Sequence, residues 1–430
     1  MWEAANNMQA NEAQKGILPE QDPGQDSTAR AIPRVSIQAF CEAPETATAM
    51  QQAGADRRLA KTHFNLQMGS IRNAIEHFAD SPTPNLLIVE SRDAPEQLLE
   101  AVSGLAEVCD SGTKVIIIGH VNDIGLYRNL IDSGVSEYVV APIKPLQLIG
   151  LIADIYLDPD APVLGRSIAF VGAKGGVGSS TVAHNVSWII SEQMKQDVVL
   201  ADMDLPFGTA GLNFNQDPPQ GISEAILSPE QVDEVMLERL LTECSDHLSL
   251  LAAPGTLDRE ADFDKDTFED TLDLIRKTTP LLVIDVPHLW TSWSRKTLRE
   301  ADEVVITAAP DLANLRNARN LVDILKNSRQ NDAPPILVIN MAGVPKRPEI
   351  TVKDFSEALG IKPSLVIPFD PQLFGTAANN GQMIEELSAQ SKPAEGFREL
   401  TRMLTGGREM GGKSNSFIKP LISKLMGKKG

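Results

Sequence analysis

Short apolar runs alternate with amphipathic stretches along two long parts of the chain. In the first part the apolar runs occupy 35–40, 86–89, 115–118 and 138–140. Stretches with apolar residues at helical spacing, such as 71–78 and 95–108, separate these runs. Continuously apolar strands that alternate with helices are typical of a parallel sheet covered on both faces. The pattern therefore predicts an α/β domain over 33–156.

The same alternation resumes after a linker at 157–166 that contains prolines and aspartates. It predicts a second α/β domain over 167–404, with a mostly parallel sheet and helices on both faces. Residues 1–32 are polar without apolar periodicity and are predicted to be a disordered arm, whereas 405–430 are predicted to be a flexible spacer and a basic amphipathic tail. The strand candidates of the second domain are 167–171, 198–201, 248–252, 281–284, 304–307, 336–339 and 365–367.

Composition narrows the class of protein. With 430 residues, of which 42% are hydrophobic and 23% charged, the chain is expected to be a soluble globular protein of two or three domains. No apolar run approaches the roughly 18 to 20 residues that span a bilayer, and the polar start is unlike a secretory signal. Its three cysteines are far apart in sequence and form no CxxC pair, which predicts a reducing cytoplasm.

The formal charge of −19 is unevenly distributed. Residues 408–430 carry +5, so the rest of the chain carries −24. A phosphate backbone would be repelled by such an acidic body, so no specific nucleic-acid partner is expected. The basic tail repeats apolar residues at helical spacing between 416 and 429, and we expect it to lie on an anionic membrane surface. A helix that docks on the body or on a protein partner, or a disordered segment, is the alternative.

A glycine-rich loop follows the first strand of the second domain. Residues 172–181 read Gly-Ala-Lys-Gly-Gly-Val-Gly-Ser-Ser-Thr, and an apolar helical pattern follows. Glycines let backbone N–H groups wrap an anion, and the helix N-terminus adds partial positive charge. An ordinary glycine-rich turn is the alternative, but the strand–loop–helix context favours a phosphate loop with the Ser180 hydroxyl at Mg²⁺. The phosphate contacts are predicted at Gly175, Gly176, Val177, Gly178, Ser179, Ser180 and Thr181.

Three aspartates follow buried strands in the order that a nucleotide site requires. Asp202 and Asp204 come after the strand at 198–201, and Asp285 ends the strand at 281–284. Taken singly, each carboxylate is as readily explained as the cap of the next loop, and Asn340 after 336–339 is common turn chemistry. Together, after a phosphate loop, the aspartates favour a site for a nucleotide with Mg²⁺.

The loop and the aspartates resemble the MinD/ParA ATPases. Lys174-Gly-Gly-Val-Gly is similar to the deviant Walker A motif KGGxGK[ST][ST], and in that family the early lysine reaches the phosphates across an ATP-sandwiched dimer. The resemblance implies that Lys174 is catalytic in this way and that Asp204 orients the attacking water. It also implies that Asp202 and Asp285 support Mg²⁺, while Asn340 and the loop at Pro368 and Asp370 contact the base.

One residue departs from that motif. Ser179 stands where the ordinary phosphate-loop lysine neutralises charge on the β and γ phosphates. Losing a charge-assisted contact costs about 1.5 to 3 kcal/mol, or about one to two decades of affinity. Lys174 and Mg²⁺ offset part of this loss. We therefore expect ATP binding with slow hydrolysis or none.

The first domain resembles the response-regulator receiver, a flavodoxin-like fold. The likeness rests on the strand order and on residues 133–145, which end in Ala-Pro-Ile-Lys-Pro. Glu90 replaces the phosphorylated aspartate, Cys41-Glu42 replace the metal acids, and Gly119 and Ala141 replace the usual hydroxyl and lysine. A docking or dimerisation module is therefore expected rather than a working receiver. Glu90 is read either as a solvated loop carboxylate, which we favour, or as a mimic of a charged aspartate.

The pairing of both domains, from about residue 35 to 404, resembles the CpaE/TadZ family of Tad (Flp) pilus assembly proteins. That resemblance implies a homodimer switched by ATP, cytoplasmic and peripheral at the inner membrane, with a cell pole as one expected position. The implied partners are the pilus secretion ATPase and inner-membrane platform proteins. Two alternatives remain: a nucleotide-free scaffold, and a ParA-like DNA-partition ATPase that uses a basic cluster. That cluster comprises Arg316, Arg319, Lys326 and Arg329.

Overall fold

The computed structural model describes residues 32–156, 163–218, 220–227, 232–254 and 263–406. The chain divides into two units, Met1–Ala161 and Pro162–Gly430. The predicted arm up to residue 31, residues 157–162 of the predicted linker and the predicted tail from residue 407 lie outside the described residues. Each unit is an α/β structure, in agreement with the predicted fold class.

The first unit is a five-stranded parallel sheet with the order β2-β1-β3-β4-β5, the flavodoxin-like order that the receiver resemblance predicted. Its strands are β1 (Ser36–Cys41), β2 (His63–Met68), β3 (Leu86–Glu90), β4 (Lys114–Gly119) and β5 (Glu137–Val140). Its helices are α1 (Pro44–Gly54), α2 (Ile71–Phe78), α3 (Pro95–Val108), α4 (Ile124–Asp132) and α5 (Pro145–Ile155), with a 3₁₀ turn at Arg57–Leu59.

The sheet of this unit is covered on both faces because its central strands carry apolar residues on both sides. All five residues of β3 are buried, and alternate residues point into two different cores. One core contains Leu86 and Ile88, and the other contains Leu87 and Val89. The sequence pattern missed β2, whose burial alternates along an exposed edge of the sheet.

The second unit is an eight-stranded sheet with helices on both faces. Its strands are β6 (Arg166–Gly172), β7 (Val198–Asp202), β8 (Leu241–Ser245), β9 (Leu248–Leu251), β10 (Leu281–Val286), β11 (Glu303–Ala308), β12 (Ile336–Ala342) and β13 (Leu365–Pro368). Its helices are α6 (Ser179–Glu192), α7 (Ala210–Asn213), α8 (Ile222–Leu227), α9 (Glu234–Leu240), α10 (Glu269–Thr278), α11 (Ser292–Glu300), α12 (Leu312–Ser328), α13 (Val352–Leu359), α14 (Pro371–Asn380), α15 (Ile384–Ser388) and α16 (Lys392–Leu404).

The order of this sheet is β13-β12-β11-β6-β10-β7-β9-β8. Every neighbouring pair is parallel except β8 and β9, which are antiparallel. The carboxyl ends of β7, β10, β6, β11 and β12 therefore meet at one edge of the sheet, which we call the carboxyl edge. In open α/β sheets this edge is where ligands bind.

The two lateral strands of the second sheet differ from the central ones. β8 was missed by the sequence pattern because none of its five residues is fully buried; it pairs antiparallel with β9, with a register shift between Glu243 and Ser245. At the other side, β13 has four residues and ends at Pro368, which lacks an N–H group. Helix α16 packs closely on β13, since a Cβ at Gly396 would lie 2.5 Å from a methyl carbon of Leu365.

No helix within the described ranges is long and apolar enough to cross a membrane. In α6, Val182, Val186 and Ile189 recur at helical spacing and are buried against the sheet, which fixes the helix directly after the glycine-rich loop.

Candidate functional site

The glycine-rich loop joins β6 to α6 at the carboxyl edge. Gly176 and Gly178 adopt φ values of 77° and 85°, in the left-handed region that favours glycine. A Cβ added at Gly178 would lie 2.5 Å from Nδ2 of Asn340, so this position also needs glycine for space. At Gly175 and Gly176 an added Cβ would meet nothing within 4 Å, and both residues are exposed. The outer side of the loop is therefore open to a ligand.

One main-chain carbonyl and three side chains from neighbouring parts of the chain hold the inner side of the loop. The Ala173 N–H donates to the Thr307 carbonyl of β11 at 2.8 Å, and the Asn317 amide of α12 donates to the Ala173 carbonyl at 2.9 Å. His288 Nδ1 lies 2.9 Å from the Gly172 carbonyl oxygen. The Asn340 amide donates to the Val177 carbonyl at 2.8 Å. The loop is thus supported from β11, β12 and α12 before any ligand is considered.

These contacts give Asn340 a structural task beside its predicted one. Its Nδ2 holds the loop, and its Oδ1 accepts the N–H of Met341 at 2.8 Å. Its contact with a base stays a prediction. Pro368 lies opposite Ala342 in the register of β12 and β13. Asp370 caps α14 by accepting the Leu373 N–H at 3.0 Å. Asp370 therefore also has a local structural role, and its place beside a base stays a prediction.

Lys174 extends from the open side of the loop and is exposed. Its charge is felt by Asp311, the N-cap of α12. Burial alone would raise the pKa of Asp311, but hydrogen bonds from Asn314 and the positive charge of Lys174 outweigh burial and lower it. The lysine therefore lies close enough to the N-terminus of α12 to act on its cap electrostatically, while its ammonium group stays at the surface.

The first turn of α6 carries the hydroxyl groups of the predicted site. Ser180 and Thr181 are half-buried. The Oγ of Ser179 is buried and has no hydrogen-bond partner among the described residues. An unpaired buried hydroxyl costs free energy, and a ligand oxygen at the helix N-terminus would satisfy it.

Asp202 and Asp285 form the centre of the site, and we call them the acid pair. They lie directly opposite each other on the parallel strands β7 and β10, and their relative exposures are 1% and 4%. Burial, and next the charge of Asp285, raise the pKa of Asp202 to about 7, whereas His184 counteracts this shift. Two buried carboxylates with like charge are the arrangement that a divalent cation stabilises.

Asp204 joins the acid pair through the backbone. Its N–H donates to Asp202 Oδ1 at 3.1 Å, and its own Oδ1 accepts the Phe207 N–H at 3.3 Å. Burial, together with the charge of Asp285, raises the pKa of Asp204. The structure thus brings all three predicted aspartates together at the carboxyl edge, where the phosphate loop also ends.

The chemistry of these donors fits Mg²⁺ with a nucleotide. Within the described part of the chain no cluster of three or more His, Cys, Asp or Glu side chains is arranged to hold a metal ion. Mg²⁺ is commonly held by one or two carboxylates together with waters and substrate phosphates, so two aspartates and a serine hydroxyl are sufficient. The glycine loop, which is open on its outer side, and the unpaired Ser179 hydroxyl are the groups that would bind the phosphates. They precede the aspartates in the sequence, as in a phosphate-loop site.

Sequence reasoning missed His184, which lies on α6 one turn after Ser180. It is 1% exposed, and its Nε2 is 3.5 Å from Asp285 Oδ2, within ion-pair range but too long for a hydrogen bond. Its Nδ1 is 3.0 Å from the Asn213 amide nitrogen. The available signal was a polar residue on the apolar face of a helix directly after a phosphate loop.

In the first unit, Glu90 occupies the position that a receiver uses for phosphorylation. The expectation that it is a solvated loop carboxylate is wrong, because Glu90 is 0% exposed. Its Oε2 accepts the N–H groups of Glu42 and Ala43 at 2.9 and 2.8 Å, and its Oε1 accepts the Thr46 hydroxyl at 2.8 Å and lies 2.9 Å from His120 Nε2. The carboxylate therefore binds the N-terminus of α1 and has no free oxygen for chemistry.

The neighbouring positions are also unsuited to receiver chemistry. Burial and the charge of Glu90 raise the pKa of the Cys41 thiol to about 11, which disfavours the thiolate that a metal would need. A Cβ at Gly119 would lie 2.2 Å from the Tyr138 hydroxyl, whose proton is donated to the Val121 carbonyl at 2.7 Å. The tyrosine ring therefore fills the space of the serine or threonine that receivers have here.

Comparison with known proteins relates the chain to pilus assembly proteins and to MinD/ParA-type ATPases. A protein-family model described as an AAA domain matches residues 165–337. A CpaE pilus assembly protein from Caulobacter crescentus is 43% identical over 30% of this chain and 98% of its own, with a TM-score of 0.30. A ParA family ATPase from Chlorobium tepidum is 22% identical over 56% of this chain and 99% of its own, with a TM-score of 0.50. The septum site-determining protein MinD of Synechocystis is 23% identical over 56% of this chain and 90% of its own length. The structural likeness to ParA confirms the MinD/ParA-type fold.

Proposed function

The chain belongs to the CpaE family of pilus assembly proteins, and from this premise we propose that it is an ATP-binding localisation and assembly factor of a Tad (Flp) pilus secretion system. One observation carries the nucleotide part of the proposal: the acid pair lies in register on adjacent strands at the edge where the supported phosphate loop begins α6. This combination of anion and cation donors is the chemistry that Mg²⁺ with a nucleoside triphosphate requires.

Each donor has a role in this proposal. The loop N–H groups and the first turn of α6 bind the phosphates, with the Ser180 hydroxyl directed at Mg²⁺. Asp202 and Asp285 hold the metal and its waters, and Asp204 orients a water beside the terminal phosphate. Bound Mg²⁺ neutralises phosphate charge and lowers the cost of keeping two carboxylates buried and ionised.

ATP serves as a switch for dimerisation in this proposal rather than as fuel. The exposed position of Lys174 supports a contact with a second copy, because its ammonium does not approach its own acid pair within ion-pair distance. Large apolar side chains are exposed just after the strands of the carboxyl edge. A second copy that buries them, with nucleotide between the two chains, shifts the population toward the dimer by its difference in affinity between nucleotide states. These side chains are Phe207, Leu289, Trp290 and Leu312.

Slow hydrolysis follows from Ser179. Without the ordinary phosphate-loop lysine, charge on the β and γ phosphates is stabilised by the N–H groups, Lys174 and Mg²⁺ alone. We propose that the ATP-bound dimer persists because hydrolysis is weak. Phosphate release at a brisk rate in a single-turnover experiment would contradict this part.

The test is the oligomeric state of the full chain by light scattering with Mg²⁺ and ATP, with ADP, and without nucleotide. We expect a dimer with ATP and a monomer in the other two samples. Lys174→Ala is expected to bind ATP but to stay monomeric. Lys277→Ala is the matched control and should dimerise normally, since Lys277 is exposed in the last turn of α10, which leads to the amino end of β10 and thus to the opposite edge of the sheet. A dimer that forms equally in all conditions would refute the switch.

The remaining parts are proposed from the family resemblance and the charge distribution. The receiver-like unit serves as a docking or dimerisation module, since Glu90 and Tyr138 occupy its former reaction site. The secretion ATPase and the membrane platform are the proposed partners, at the inner membrane and at a cell pole. Residues 416–429 lie outside the described part of the chain, and we propose that they bind anionic lipid. Deletion of 414–430 should abolish co-sedimentation with vesicles that contain phosphatidylglycerol, and unchanged co-sedimentation would remove the anchor.

The DNA-partition alternative loses one of the four basic residues on which it rests. Arg329 is 8% exposed and donates to the carbonyls of Leu298 and Asp302 at 3.0 and 2.9 Å. Arg319 pairs with Asp323 and also donates to the Ala358 carbonyl. Arg329 is thus engaged in holding the end of α12, whereas Arg316, Arg319 and Lys326 remain exposed. Salt-sensitive binding to nonspecific DNA would revive the alternative.

A further inference from the structure

Helix α7 is connected at both of its ends to the acid pair. At its start, the Ala210 N–H donates to Asp202 Oδ2 at 3.1 Å. At its end, the Asn213 amide contacts His184, and His184 in turn faces Asp285. One carboxylate thus binds the first residue of this helix directly, and the other reaches the last residue through a histidine.

The hydrogen-bond chemistry assigns the proton on His184. An amide nitrogen only donates, so Nδ1, which is 3.0 Å from Asn213 Nδ2, is the acceptor. The ring proton of neutral His184 is therefore on Nε2, and Nε2 is the nitrogen that faces Asp285 Oδ2 at 3.5 Å. Nε2 has no hydrogen-bond partner among the residues that the structure describes. A side chain 99% withdrawn from water would ordinarily have its donors satisfied.

The distance of 3.5 Å makes this contact sensitive to the position of Asp285. A hydrogen bond between nitrogen and oxygen needs about 2.7 to 3.2 Å, so a displacement of the carboxylate by less than about 1 Å forms it or breaks it. Packing links the position of the His184 side chain to the end of α7. The His184 ring lies 5.6 Å from the ring of Phe214, the residue directly after α7. Phe214 is buried and in turn lies 6.4 Å from Trp188 on α6.

We propose that His184 is a positioning residue that connects the acid pair to α7. Whether a ligand is bound at the acid pair then determines how well ordered the segment 203–216 is. This segment carries Phe207 and Leu212, which are 68% and 73% exposed. Their presentation at the carboxyl edge therefore depends on what is bound between Asp202 and Asp285. The inference rests on the proposed function in one respect: it takes the acid pair as the site of the Mg²⁺.

Hydrogen–deuterium exchange of the full chain tests the proposal, with Mg²⁺ and ATP as the probe. Wild type should show a change in exchange over 203–216 when the probe is added. At Mg²⁺ and ATP concentrations that saturate each variant, as checked by calorimetry, His184→Ala should lose at least half of that change. His184→Gln should keep it, because its amide offers both an acceptor for Asn213 and a donor for Asp285.

Two further variants separate the link from simple loss of packing. Asn213→Ala breaks the same link from a half-buried position on α7 and should reproduce the effect even where His184→Ala folds poorly. Ser187→Ala is the matched control, since its buried hydroxyl on α6 donates only to the Ala183 carbonyl at 2.9 Å and should leave the exchange change intact. A wild-type change that survives in both His184→Ala and Asn213→Ala would overturn the role of His184.

The outcomes distinguish this inference from the proposed function. Binding of Mg²⁺ and ATP by wild type, measured by calorimetry, with no exchange difference over 203–216 overturns the inference and leaves the nucleotide site standing. Absence of binding to wild type overturns both.

Discussion

The carboxylate of Glu90 should be a main source of stability in the first unit, and Glu90→Gln tests this. The carboxylate accepts two backbone N–H groups and the Thr46 hydroxyl, and it contacts His120. A glutamine keeps one oxygen for the two N–H groups, and its NH₂ can donate to the Thr46 hydroxyl once that group rotates. The loss is then chiefly that of the charge. Charge-assisted hydrogen bonds are worth about 1.5 to 3 kcal/mol and neutral ones about 0.5 to 1.5, so two weakened bonds predict about 2 kcal/mol.

Glu90→Ala should cost more, about 4 kcal/mol, because it leaves the N–H groups of Glu42 and Ala43 buried without an acceptor. The readout is the free energy of opening from hydrogen exchange over residues 41–50 in the full chain, supported by thermal unfolding. Glu100→Gln is the control, since Glu100 is exposed on α3 and carries the same charge. It should change the free energy of unfolding by less than about 0.5 kcal/mol.

The pH dependence gives a second, independent check. Burial alone would raise the pKa of Glu90, but hydrogen bonds from Ala43, Thr46, His120 and Glu42 outweigh it and lower the pKa. Since the folded pKa is below the unfolded value of about 4.3, the stabilisation is fully present above that pH and is lost as pH falls through the folded pKa. The difference between wild type and Glu90→Gln should shrink as the pH falls from about 4.3 through the folded pKa of Glu90. A difference that grows as the pH falls below about 4.3, or Glu90→Gln as stable as wild type at pH 7, would refute the reasoning.

Three further substitutions have defined outcomes. Ser179→Lys should tighten ATP binding by about one to two decades in calorimetry, because it restores a charge-assisted phosphate contact, and an unchanged Kd would contradict the account of the loop. Gly119→Ser should destabilise the first unit by about 1 to 3 kcal/mol in thermal unfolding, because its Cβ would lie 2.2 Å from the Tyr138 hydroxyl and 2.5 Å from its ring; Gly119→Ser with Tyr138→Leu should recover part of the loss. Gly178→Ala should weaken ATP binding, since it strains a φ of 85° and displaces Asn340, whereas Gly175→Ala, with open space around its Cβ, should have the smaller effect on Kd.

The sequence was sufficient to locate the central strands and the three aspartates that follow them. Apolar runs such as those of β3, β4 and β10 have one physical explanation, burial on both faces, and residues that end neighbouring parallel strands must share an edge. β2 and β8 escaped because edge strands are only partly buried and lack this pattern. Their existence depends on a partner strand elsewhere in the chain.

The environment of single polar residues could not be predicted from the sequence, for a related reason. Glu90 looks the same in sequence whether it faces solvent or the N–H groups of Glu42, which lie 48 residues away. The contact of His184 with Asp285 likewise joins residues about one hundred positions apart. Such pairs are fixed by the position of the α1 N-terminus at the end of β3 and by the docking of α6 on β10, which hydrophobic patterning determines only coarsely.

The two lateral strands of the second sheet have a consequence for how copies of the protein assemble. The unpaired N–H and C=O groups of an exposed edge strand can pair with the edge strand of another chain. Pairing of that kind repeats without limit and gives fibres. Here β8 is interrupted by a register shift beside Glu243, and β13 is short, ends in proline and lies under α16. Growth of the sheet from chain to chain is blocked on both sides. The dimer that we propose at the carboxyl edge would instead pair one surface with its own copy, so that assembly would stop at two chains and could be reversed by the ligand between them.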